Sequence, residues 1–156
     1  MTSANNDSAS VDWRTRLIDD DEGIANLIAR TRRIAVLGIK TAQESMQPAY
    51  YVPAYAKKAG LQILPVPVYY PEAVEILGET VYRAVSDIPI PVDMVNVFRR
   101  PKDILPHVDD ILKAKPSSVW FQLGIRHDAA AEQFAKAGID VVQDRCLLVE
   151  LKNVGR

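Results

Sequence analysis

A chain of 156 residues, 48% hydrophobic and 25% charged, has the length and balance of one globular domain. Its formal net charge of −1 supplies no field for nucleic acid or an anionic membrane. The lone cysteine, Cys146, excludes a disulfide framework and a cysteine-rich zinc site, and no apolar run approaches the ~20 residues that span a bilayer.

Residues 1–10 (MTSANNDSAS) are small and polar, a composition expected to stay disordered. They lack the basic and apolar regions of a secretory leader, so a cytoplasmic protein is expected. Residues 11–32 are expected to be helical, because Trp13, Leu17, Ile24, Leu27 and Ile28 recur near helical spacing. The acidic run Asp19–Glu22, followed by Gly23, divides this stretch. It fits the start of a second helix near Asp21, where carboxylates complement the helix dipole.

Residues 33–152 change character. Short apolar runs at Ile34–Leu37, Leu61–Val68, Met94–Phe98, Ser118–Leu123 and Ile139–Val142 read as strands. Pro65 and Pro67 are expected to end the second. Helices are expected near Ala49–Ala59, Pro101–Ala114 and Asp128–Ala137. Gly60 and Gly138 stand where left-handed caps belong. Alternating strands and helices imply an α/β fold: a doubly wound, mostly parallel, five-stranded Rossmann-like sheet with helices on both faces. A ligand site in such a sheet lies outside the carboxyl ends of the strands, where the strand order reverses.

The first loop lacks the dinucleotide fingerprint. Counting from Gly38, the next two glycine positions hold Lys40 and Gln43. The second strand does not end in the acid that would bind ribose hydroxyls, since "PVPVYYPE" reaches Glu72 only several residues later. There is no GxxxxGK[ST] and no GxSxG. What remains is a long loop entering a helix through Gln47 and Pro48. Proline suits a first helical turn, and the free amides beyond it can bind an anion. Pro53 leaves two helix starts open, at Pro48 or near Tyr50. Arg99 and Arg100 follow the third strand, where paired guanidinium forks suit phosphate. A solvated pair at a helix start is the competing reading.

The segments "IAVLGIK", "QPAYYVPAYAKKAG", "ILPVPV", "EILGETVYRAVSDIP", "VDMVNVFRRP", "VWFQLGIRHDAAAEQFAKAG" and "VVQDRCLLVE" together resemble the stand-alone CoA-binding proteins. That family shares its Rossmann-like fold with the N-terminal domain of the succinyl-CoA synthetase α subunit. The resemblance covers roughly residues 33–151 and implies coenzyme A as ligand. It implies that Gly38, Ile39, Lys40, Gln47, Pro48 and Ala49 hold phosphates, and that Val66, Pro67 and Val68 flank the adenosine. It implies that Phe98, Arg99 and Arg100 lie along the ligand, and that Gln122, Leu123 and Gly124 lie toward the pantetheine arm. Two departures bear on phosphate and adenine binding. Many relatives carry a serine soon after the first glycine and Asn-Pro after the second strand, where this chain reads "GIK" and "PVPVYYP".

The resemblance implies a small-molecule ligand, CoA or a short acyl-CoA, held without catalysis. An NAD(P)-using enzyme with a degenerate site is the alternative from another class. A third reading is a regulatory subunit of a CoA ligase, or a homo-oligomer, using "AYYVPAYA" and the N-terminal stretch as contacts. The bland reading makes those segments core. His107 reads as a helix-surface residue, His127 as a helix cap or a ligand-facing group, and Trp120 and Phe121 as sheet packing. Cys146 reads as a small buried hydrophobe, or functionally as a partner for the CoA thiol in a mixed disulfide.

Overall fold

A computed structural model describes residues 12–156. The tail expected over residues 1–10 lies outside the described residues. A 3-10 turn, Trp13–Arg16, precedes helix α1, Asp21–Ala29. The acidic run is a helix start: the Asp20 side chain caps α1 by accepting the Gly23 N–H at 3.2 Å, and Asp21 and Glu22 occupy the first turn.

Five strands form one sheet: β1 Arg33–Leu37, β2 Gln62–Val66, β5 Met94–Val97, β6 Ser118–Phe121 and β7 Asp140–Val142. The order is β2-β1-β5-β6-β7, and every pairing is parallel. The chain moves from β1 outward to β2, then returns to lay β5 on the other side of β1. The strand order therefore reverses between β1 and β5.

Side chains alternate between two buried faces, as the period of a strand demands. Ala35, Leu37, Val95, Val97, Val119 and Phe121 face helices α3 (Val108–Ala114) and α4 (Asp128–Lys136). Ile34, Val36, Met94 and Trp120 face α1, α2 (Pro48–Lys58) and α5 (Leu147–Asn153). Both layers are buried, which is why these strands read as largely apolar runs. Gly60 and Gly138 follow α2 and α4 with φ of 97° and 87°.

Three expectations need correction. Pro65 does not end the second strand but lies inside β2. β2 is an edge strand, and Pro65 turns its missing N–H outward, where its carbonyl accepts the Tyr82 N–H at 2.9 Å. The stretch 101–114 is not one helix. Pro101 and Pro106 break it into two 3-10 turns, Pro101–Asp103 and Leu105–His107, and only α3 is α-helical. A hairpin, β3 Glu75–Ile76 and β4 Glu79–Thr80, occupies "EILGET", where no strand was expected. Leu77 and Gly78 both take positive φ, 55° and 74°, the signature of a tight type I′ turn. The Lys57 ammonium on α2 donates to the Leu77 carbonyl and lies 3.5 Å from Glu79, which holds this turn against the body of the fold.

Helix α2 starts at Pro48 and contains Pro53. Pro53 cannot donate to the carbonyl of Ala49, four residues earlier. That carbonyl instead accepts the Lys40 N–H from the first loop, at 3.1 Å.

Candidate functional site

The reversal between β1 and β5 puts a crevice outside their carboxyl ends. There the chain turns at Gly38, with φ of 88°. A Cβ at that position would lie 2.3 Å from the Phe98 carbonyl oxygen, so only glycine lets the two loops pass. The Gly38 N–H donates to Val66 and the Phe98 N–H to Leu37, at 2.8 and 2.9 Å.

Beside this crossing lies a cleft of about 320 Å³. One wall is the start of α2, with Gln47, Pro48 and Ala49. A second follows β5, with Phe98, Arg99, Arg100 and Pro101. The third follows β6, with Gln122, Leu123, Gly124 and Ile125. Three of the segments singled out by sequence thus meet in one cavity. Val66, Pro67 and Val68 line a neighbouring cleft of about 220 Å³ with Arg83, Ala84, His107 and Asp110.

The remaining first-loop residues line neither cleft. Ile39 is buried in the core among α1 and α2 side chains, so only its backbone is left for a ligand. Lys40 places its ammonium 5.8 Å from the centre of the Tyr69 ring. The N–H groups of Gly38 and Lys40 are both spent on protein carbonyls. Among the described residues, the Ile39 and Ala49 N–H groups have no protein acceptor. Ala49 is in the first turn of α2 and lines the 320 Å³ cleft, so its free amide adds to the positive end of that helix.

The two arginines differ. Arg99 is half-buried and donates its Nε–H to His107 Nε2 at 3.2 Å, which leaves the two Nη groups unpaired among the described residues. Arg100 is exposed and pairs with Asp103 at 3.1 Å. His107, expected on a helix surface, is thus the residue that sequence reasoning missed. It joins the two clefts through Arg99. Burial first, and then the Arg99 charge, hold its pKa below the ordinary 6.5, which keeps it neutral and able to accept. The signal lay in the prolines of "RRPKDILPH", whose turns fold His107 back toward Arg99.

Other candidates are absorbed by structure. His127 caps α4: its Nδ1 accepts the Ala130 N–H at 3.0 Å. Trp120 and Phe121 are fully buried, with Trp120 Nε1 donating to the Arg145 carbonyl at 2.8 Å. Cys146 stands at the start of α5, partly buried against the core, and borders a separate cleft of about 360 Å³. The Arg145 guanidinium beside it is engaged by Asp19 and Glu150, each at 3.3 Å. The segment "AYYVPAYA" is half core: Ala49, Val52, Pro53 and Ala56 are buried, Tyr50, Ala54 and Tyr55 partly so, and Tyr51 is exposed. A further cleft of about 520 Å³, lined by Thr41, Tyr50, Tyr70 and the β3–β4 hairpin, contains none of the anticipated residues.

The model of a CoA-binding domain matches residues 32–152. The chain belongs to the CoA-binding domain family. It is 29% identical to the uncharacterized protein YneT of Bacillus subtilis over 126 residues, 81% of this chain and 90% of that one. The solved structure of cell-free ID.343 from Thermus thermophilus is 36% identical, with a TM-score of 0.81 over 87% of this chain and 99% of that one. The dinucleotide-forming acetyl-coenzyme A synthetase 1 of Ca. Korarchaeum cryptofilum shares the fold alone. Its identity is 20% and its TM-score 0.59, over 70% of this chain and 25% of that one. No helix among the described residues is long and apolar enough to cross a membrane.

Proposed function

We propose that this protein is a non-catalytic, cytoplasmic module that binds coenzyme A or a short acyl-CoA across the carboxyl edge of its sheet. The observation that carries the reading is the convergence, at the strand-order reversal, of the α2 N-terminus, an arginine pre-set by a neutral histidine, and a buried amide from β6. The β2, β5 and β6 ends would take adenosine, phosphates and pantetheine in that order. From β2 to β6 is three strand spacings, or about 14 Å, so the ligand lies extended along the edge. The pyrophosphate is met by Arg99 Nη donors and the Ala49 N–H rather than by the amides of Gly38 and Lys40. Lys40, beside Tyr69, is free to serve a second phosphate at the rim. From the end of β2 the chain reads Val66-Pro67-Val68, with no acid for ribose hydroxyls, which weighs against NAD(P).

Isothermal titration calorimetry with CoA, dephospho-CoA and NAD tests this. Binding of CoA, weaker binding of dephospho-CoA and none of NAD is expected. Silence for CoA with heat for NAD would overturn it.

A further inference from the structure

Gln122, at the end of β6, is 3% exposed and lines the 320 Å³ cleft. Its Oε1 accepts two hydrogen bonds, from Asn96 Nδ2 at 3.4 Å and from the Leu147 N–H at 3.3 Å. The second bond decides the orientation of the amide. A backbone N–H can only donate, so the atom facing Leu147 must be the oxygen. Asn96, wholly buried on β5, reinforces this by donating to the same oxygen and to the Trp120 carbonyl at 3.3 Å. Turning the Gln122 amide over would set its NH2 against the Leu147 N–H.

The Gln122 Nε2 is therefore fixed as a donor, and it has no acceptor among the described residues. It is not sealed in the interior, because the buried polar atoms without partners are Thr41 Oγ1 and Asn96 Oδ1. Opening on the cleft, this donor is left to water or a ligand for its acceptor. Around it Pro48, Ala49, Phe98, Leu123 and Ile125 offer apolar surface, while Arg99 and Arg100 line the same cleft and no carboxylate does. One directed donor between apolar walls suits a neutral chain carrying a carbonyl. It does not suit a cation, and the arginines of the cleft are the groups that suit phosphate.

We propose that Gln122 is a specificity-determining residue whose Nε2 donates to an amide carbonyl of the ligand's neutral arm, with Asn96 as its positioning residue. This rests on the CoA reading, in which that arm is pantetheine. It adds that the arm is recognised by a polar contact of fixed direction.

The test compares CoA with 3′-phosphoadenosine 5′-diphosphate, which keeps the phosphates and lacks the arm. Gln122→Met removes the donor at nearly constant volume without adding charge. The folded variant is expected to bind CoA about 5- to 10-fold more weakly and the truncated nucleotide as wild type does. A measurement on wild-type protein does not depend on variant folding. The Gln122 side-chain NH2 resonances in a nitrogen–proton correlation spectrum should shift with CoA and stay with the truncated nucleotide. Equal losses for both ligands, unchanged CoA affinity, or resonances indifferent to CoA would overturn the role of Gln122. Wild-type protein that binds neither compound would overturn the CoA reading itself.

Discussion

Replacing Arg99 by alanine removes a guanidinium that the fold has already oriented. Its Nε–H is held by His107 at 3.2 Å, and the two Nη groups remain for a ligand. A charge-assisted hydrogen bond to phosphate is worth about 1.5–3 kcal/mol, or about 10- to 150-fold in Kd. Little of this is offset by ordering the side chain, because His107 has ordered it already. Arg100 differs: its side chain is 70% exposed and its pairing with Asp103 is a surface contact, worth about 0–1 kcal/mol. Arg100→Ala should therefore weaken CoA only several-fold, and Arg99→Ala by at least 10-fold. Calorimetry at low and at physiological salt reads both, with a thermal melt to show that each variant is folded. Unchanged affinity in folded Arg99→Ala would refute the phosphate role. A larger loss in Arg100→Ala would refute the argument from orientation.

The His107 pKa is lowered in the fold, so the folded state takes up a proton less readily than the unfolded chain. Its contribution to stability should be complete above 6.5 and decline as pH falls through the lowered folded value. Urea titrations from pH 8 to 5 should show that decline, and His107→Gln, which keeps an acceptor, should flatten it. Gly38→Ala should cost more than about 2 kcal/mol, from left-handed backbone and displacement of the Phe98 carbonyl; a melting temperature within a degree of wild type would contradict this. His127→Ala should lose a helix cap, about 1 kcal/mol of stability, with CoA affinity unchanged. A CoA affinity that falls with the cap would return His127 to the ligand site.

The apolar strands were legible because both faces of the sheet are buried. Every residue from Ile34 to Leu37, and every one from Met94 to Val97 but Asn96, is apolar without regard to side. The switch-point crevice followed from alternation alone, and the resemblance supplied a ligand for it. Less legible was anything decided by a single main-chain group. Pro65 is harmless because its absent donor points off the sheet edge, which no local pattern announces. The orientation of Gln122 depends on the Leu147 N–H, 25 residues away. His107 reaches Arg99 only because two prolines divide the expected helix into tight turns. The first loop was expected to offer its amides, yet Gly38 and Lys40 spend theirs on Val66 and Ala49. The hairpin at Leu77 lacked the Asn-Gly or Asp-Gly that usually marks such a turn, and a lysine from α2 stands in for that local preference.

Pro53 carries a consequence for anyone who would stabilise this protein. Alanine there would look like a plain improvement, since it restores a helical hydrogen bond. The restored N–H would compete with Lys40 for the Ala49 carbonyl, a tie between the first loop and α2. The helix would melt later while the loop above it wandered further. Thermal resistance and readiness for ligand would then move in opposite directions, because in the native chain a gap in the helix is the anchor point of the loop.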